Sequence, residues 1–195
     1  MTHILRIDTS IKGENSVSAG LLDRITARLT AQGGATVTTR DISAGMPLID
    51  GGWIGAAFTP EADRDPGQHE ALALADTLLA EVQAADVLVI GLPIYNFGVP
   101  AQLKSWFDHL ARNGLTFRYT EAGPEGLIKG KRAIIALSSD GTRLGSEVDF
   151  ASGWVRHMLG FFGITDVRFV AADAILFDRE GAMNRAGEQV EALAA

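Results

Sequence analysis

Three short stretches carry the residue types that could do chemistry: Ser10, Ser16, Val17 and Ser18; Pro93, Ile94, Tyr95, Asn96 and Phe97; and Ser138, Ser139, Asp140 and Gly141. The first combines hydroxyls with the start of an apolar helical repeat. First-turn amides have no intrahelical partner, and the helix dipole is positive there, so such a loop suits an anion. It is neither a GxxxxGKS/T loop nor a GxGxxG loop, because only Gly13 is present and no lysine closes it. A monophosphate held by hydroxyls and amides fits better than a triphosphate with magnesium. The bland alternative is that Ser16 or Ser18 simply caps the helix, a role worth about 1 kcal/mol.

In the second stretch, Tyr95 and Phe97 flank the Asn96 amide between two stiff prolines, Pro93 and Pro100. Rings and backbone amides can hold the face and edge of a flat heterocycle; ordinary aromatic packing accounts for the same residues equally well. Rival chemistries have less to work with. Cysteine is absent, and His3, His69, His109 and His157 lie far apart with no HExxH spacing, so no metal site is expected. No Gly-x-Ser-x-Gly elbow occurs, and the scattered carboxylates form no identifiable acid/base pair.

These stretches need elements to position them. Residues 4–8, 36–39, 87–92, 133–137 and 167–171 are short apolar or β-branched runs and predict strands. Helical spacing predicts helices beyond Ser18, over 68–85, after Pro100, over 148–162 and over 179–194. Residues 43–67 predict a long connection whose Trp53 and Phe58 cover a pocket, a partner subunit or their own sheet. Residues 113–119 alternate and look β-like, residues 123–126 predict a turn, and the basic group at 129–132 predicts a solvated turn. Five strands alternating with five helices predict one doubly wound α/β domain over residues 1–195, flavodoxin-like, with a parallel sheet in the order 2-1-3-4-5. The three chemical stretches follow strands one, three and four, so all fall at the carboxyl edge of that sheet. Converging there, they describe a mononucleotide site, and flavin mononucleotide (FMN) is the obvious candidate.

Composition narrows the classes further. A chain of 195 residues with a formal net charge of −7 and no Lys/Arg cluster is not built to grip nucleic acid or an anionic membrane surface. The first residues lack the basic start and apolar centre of a signal peptide, and no run approaches a membrane span, so a soluble cytoplasmic protein is expected.

Taken in order, the serine loop, LPIYNF at 92–97 with QLK at 102–104, TFRYTE at 116–121, GPEG at 123–126 and GFFGITD at 160–166 resemble the FMN-dependent NADH-azoreductases, which also act as quinone reductases. The resemblance runs from the first strand to the last helix. It implies a homodimer with one FMN per subunit, NADH or NADPH as donor, and ping-pong two-electron reduction of quinones and azo compounds. Ser10 and Ser16 to Ser18 match the family's phosphate loop, Ile94 to Phe97 its ring-binding loop and Ser138 to Gly141 its third flavin loop. Tyr119 and Phe161 match residues that wall the substrate pocket of the other subunit. The chain departs from the family pattern in two places: Ile94 stands where methionine is common, and the third loop reads Ser138-Ser-Asp-Gly141 where the family often has Ser-Arg-Gly-Gly, losing an arginine and gaining Asp140, which places negative charge near the flavin. The flavin carries the hard chemistry, so no side chain is expected as acid or base. Two other classes fit the loops, a flavodoxin-type one-electron carrier and a regulatory mononucleotide sensor.

Overall fold

The chain is seen here as a computed structural model, which describes residues 1–31 and 33–193. Its centre is β3 (Val87–Pro93), in which every residue is buried. Leu88, Ile90 and Leu92 point into one apolar cluster and Val87 and Val89 into another, so the unbroken apolar run is explained by burial on both faces. Around it lie β1 (Thr2–Asp8), β2 (Ala35–Asp41), β6 (Arg132–Ser138) and β7 (Asp166–Ala172), in the order β2-β1-β3-β6-β7 with every pairing parallel. This is the predicted 2-1-3-4-5 sheet. β2 is an edge, and its run of threonines and Val37 is largely exposed.

Helices cover both faces. α1 (Val17–Thr30) and α6 (Arg179–Glu191) pack Leu21, Leu22, Ile25, Ala182 and Ala186 onto one face. On the other, α3 (Pro66–Ala84), α4 (Ala101–Leu110) and α5 (Phe150–Phe162) contribute Leu78, Leu103, Trp106, Phe107, Val155 and Leu159. Burying each such aliphatic side chain is worth about 1.5–3 kcal/mol. The sequence predicts that α6 reaches Ala194; the helix ends at Glu191 with Ala192 as its C-cap, and Ala194 lies outside the described residues.

Two expectations are corrected. Residues 43–67 are not a bare connection: α2 (Gly51–Phe58) forms there, with the Asp50 side chain accepting from the Trp53 amide at 2.8 Å. Its three glycines disguise it, and packing of Trp53 and Ala56 on Leu72 and Ala75 of α3 supplies what propensity does not. Trp53 thus packs within its own chain, edge-on to His109 at 5.6 Å between ring centres, whereas Phe58 is exposed. The second correction concerns residues 123–126, which are strand rather than turn. β4 (Phe117–Thr120) and β5 (Gly123–Gly126) make an antiparallel hairpin outside the main sheet. Glycine at 126 is required because a Cβ there would lie 2.2 Å from the Gly163 nitrogen, where α5 ends in the left-handed region at φ 103°. The basic turn before β6 also serves the fold, since Lys131 donates to the carbonyls of Gln83 and Ala85 at the end of α3. Among the described residues no helix is long and apolar enough to cross a membrane, and no group of His, Cys, Asp or Glu is placed to hold a metal ion.

Candidate functional site

Register fixes which loops meet. β3 and β6 pair through to Pro93 opposite Ser138, so the loops that leave them start side by side; the Ile94 amide donates to the Ser138 carbonyl at 2.9 Å. On the other side of β3, Thr9 at the end of β1 donates its hydroxyl to the Gly91 carbonyl at 2.8 Å. Gln102 of α4 donates to the Thr9 carbonyl and ties the same corner together. The three loops therefore surround the carboxyl end of the most buried strand.

Each loop is held from within. In the first, Ser16 caps α1 by accepting from the Ala19 amide at 3.1 Å, while its hydroxyl lies 3.1 Å from that of Ser18. The first-turn amides of Val17 and Ser18 have no carbonyl inside the helix to meet. In the second, Tyr95 and Gly98 exchange both backbone hydrogen bonds at 3.1 and 3.0 Å across Asn96 (φ 47°) and Phe97 (φ 69°). Positive φ at both central positions is the type I′ turn, which suits asparagine and strains a phenylalanine. The central amides take no part in the turn's own pairing. The turn is braced by the Phe150 amide, which donates to the Phe97 carbonyl at 3.2 Å. In the third, Ser139 accepts from the Thr142 amide through its side chain, and its carbonyl receives the Ile175 amide.

Between them lies a cleft of about 450 Å³, within the usual range for small-molecule sites. Ser10, Ser16 and Val17 line it from the first loop; Pro93, Ile94, Tyr95 and Asn96 from the second; Ser138, Ser139 and Asp140 from the third. Ser18, Phe97 and Gly141 stand beside it without lining it. Ser18 faces a neighbouring hollow with Arg6, Asp8 and Asp41, and Phe97 is half exposed. There Arg6 is held charged, its pKa raised by the hydrogen bond to Asp8. The Tyr95 hydroxyl lies 3.2 Å from both Ser10 Oγ and the Ile11 nitrogen, joining the first loop to the second.

Three lining residues were not foreseen: Ile11, Lys12 and Ile175. The first two sit inside the serine stretch, where the hydroxyls are the groups whose type signals chemistry. Ile175 follows β7 in a segment with no periodic signal and is carried in by backbone bonds to the third loop, with Ala174 at φ 52° turning the chain. Tyr119 and Phe161 do not reach the cleft of their own chain. They meet through Phe117, whose ring centre lies 5.5 Å from that of Tyr119 and 4.4 Å from that of Phe161, and Tyr119 is exposed.

The family model described as flavodoxin-like fold matches residues 2–194. Over 195 residues the chain is 57% identical to the FMN-dependent NADH:quinone oxidoreductase 1 of Jannaschia sp. strain CCS1, covering all of both chains. Over 196 residues it is 59% identical to the FMN-dependent NADH:quinone oxidoreductase of Cereibacter sphaeroides strain KD131, again covering both completely. Among solved structures it is similar to the azoreductase of Bacillus anthracis strain Sterne, at 29% identity and a TM-score of 0.86, covering 98% of this chain and 96% of that one. With the three loops in one cleft and relatives matched from end to end, the chain belongs to the flavodoxin-like family of FMN-dependent NADH:quinone oxidoreductases and azoreductases.

Proposed function

We propose that this protein is an FMN-dependent NADH:quinone oxidoreductase whose cofactor occupies the cleft between the three loops. The observation that carries this is the convergence of the loops on one cleft beside β1 and β3, the crevice where the strand order of such a sheet reverses and where it takes its ligand. The donor set fits a flavin mononucleotide. Unpaired amides and buried hydroxyls at the start of α1 suit a doubly charged phosphate, and the uncommitted amides of Asn96 and Phe97 suit the polar edge of a flat ring.

A bound FMN would supply the redox chemistry, the two-electron reduction of a quinone by NADH. The chain's own residues bind and orient. Ser10, Ser16 and Val17 would hold the phosphate, with Ser18 supporting Ser16 from beside the cleft; Pro93 to Asn96, with Phe97 completing their turn, would hold the heterocycle; and Ser138 to Asp140, followed by Gly141, would close the third wall. Because the Asn96–Phe97 turn is fixed by its own pairing and by Phe150, its amides need no reorganisation to stabilise negative charge on the ring. The same reading takes the working unit as a homodimer, with Tyr119 and Phe161 of one copy walling the substrate pocket of the other. Their lying outside their own cleft supports this, as does the exposure of Phe58, Tyr119 and Phe150. Azo compounds, flat and with a reducible N=N bond, are a second acceptor class, supported by the likeness to an azoreductase structure.

The test is an absorbance titration of the purified protein with FMN, followed by anaerobic NADH and then benzoquinone. Bound flavin that bleaches with NADH and recovers its colour with quinone, together with parallel double-reciprocal lines in steady state, is the expected result. Bound flavin that NADH leaves oxidised would instead favour the one-electron carrier.

A further inference from the structure

Asp140, read from the sequence as a lone negative charge beside the flavin, has a partner: its carboxylate lies 3.5 Å from the Lys12 ammonium. The two belong to different walls of the cleft. Lys12 comes from the loop after β1 and Asp140 from the loop after β6, and β3 runs between those strands, so the pair spans the width of the site. Both side chains line the cleft yet stay half or more exposed, at 52% and 73%, which places them at its rim.

Their backbones are fixed. The Lys12 amide donates to Ser10 Oγ at 3.3 Å and its carbonyl receives the Asn15 amide at 3.2 Å. Asp140 is held through its carbonyl, which receives the Leu176 amide at 2.8 Å. Only the two side chains are free to part, and an exposed pair of this kind is weak and screened by salt. We infer that Lys12 and Asp140 form a salt-sensitive clasp across the mouth of the cleft, which slows both entry and release of the mononucleotide. This rests on the cofactor reading above. A pair that forms alike in the empty and the filled cleft retards traffic in both directions and leaves affinity nearly unchanged.

The experiment measures FMN association and dissociation by stopped-flow flavin fluorescence for the wild type, Lys12→Gln, Asp140→Asn and the double variant, at low and high NaCl. A clasp predicts that each single change speeds both rates about two- to fivefold, that the double variant is no faster than either, and that Kd stays within about twofold. High salt should speed dissociation in the wild type toward that of the variants. Independent point charges give another pattern: Lys12→Gln would weaken binding of the anionic cofactor and Asp140→Asn would tighten it. That pattern, or rates unchanged in every variant, overturns the clasp while leaving the cofactor site standing. Absence of any fluorescence change in the wild type at saturating FMN would overturn the cofactor reading and the clasp with it.

Discussion

The Tyr95 hydroxyl joins two walls of the cleft. Lying 3.2 Å from both Ser10 Oγ and the Ile11 nitrogen, it pins the loop after β1 to the loop after β3. Tyr95→Phe keeps the ring and removes the tie. An ordinary hydrogen bond contributes about 0.5–1.5 kcal/mol, so FMN affinity should fall roughly two- to tenfold. Circular dichroism of the cofactor-free protein should be unchanged, because the tie joins loops and no core packing depends on it. Equal FMN affinity in the variant would show that the two loops hold their places independently. At this scale the sequence is informative only where a residue type announces chemistry. The serines, Tyr95 and Asn96 do so. Ile11 and Ile175 reach the cleft through backbone geometry that no side-chain pattern reports, and the Lys12–Asp140 pair joins residues 128 positions apart.

Among the elements, α5 couples fold to site. Its N-cap, Asp149, accepts from the amides of Gly145, Ala151 and Ser152 and from the Ser152 hydroxyl, and the neighbouring Phe150 amide braces the strained turn at Phe97. Burial alone would raise the Asp149 pKa; the bonds from Ser152, Gly145 and Ala151 outweigh it and hold the carboxyl below its usual value. A carboxyl with a depressed folded pKa contributes stability above its unfolded pKa and loses that contribution as pH falls through the folded one. Asp149→Ala should therefore lower stability by about 1 kcal/mol at neutral pH. The gap between wild type and variant should close below about pH 4, as the wild-type carboxyl protonates. Urea denaturation at several pH values reads this directly, and a gap independent of pH would assign the loss to packing. The N-cap shows what can be read ahead: an apolar repeat located α5, two residues early, whereas Asp149 fixed the true start through local bonds. α2 is not legible in the sequence because Gly51, Gly52 and Gly55 mask a helix that exists by packing on α3.

For the whole molecule, sheet order was legible because five short apolar runs separated by helical spacing admit few right-handed arrangements. The hairpin of β4 and β5 was not, since its second strand is Gly-Pro-Glu-Gly and is held by the end of α5. What the sheet does is gather the loops at 10–18, 93–97 and 138–141 around one cleft, so a mononucleotide bound there would tie together segments from most of the chain's length. A ligand that binds only the folded state stabilises it by RT ln(1 + [L]/Kd), about 2.7 kcal/mol at a hundredfold excess over Kd. For a chain of this size each kcal/mol moves Tm by roughly 2–4 °C, so FMN at that excess should raise Tm by roughly 5–11 °C. Riboflavin, which lacks the phosphate, forfeits the contacts at the start of α1 and should give a much smaller shift at equal concentration. Calorimetry with the two ligands separates the contributions of the loops. A full shift with riboflavin would move the binding energy to the Tyr95 and Ser138 loops, and would leave Ser16 and Ser18 as caps of α1.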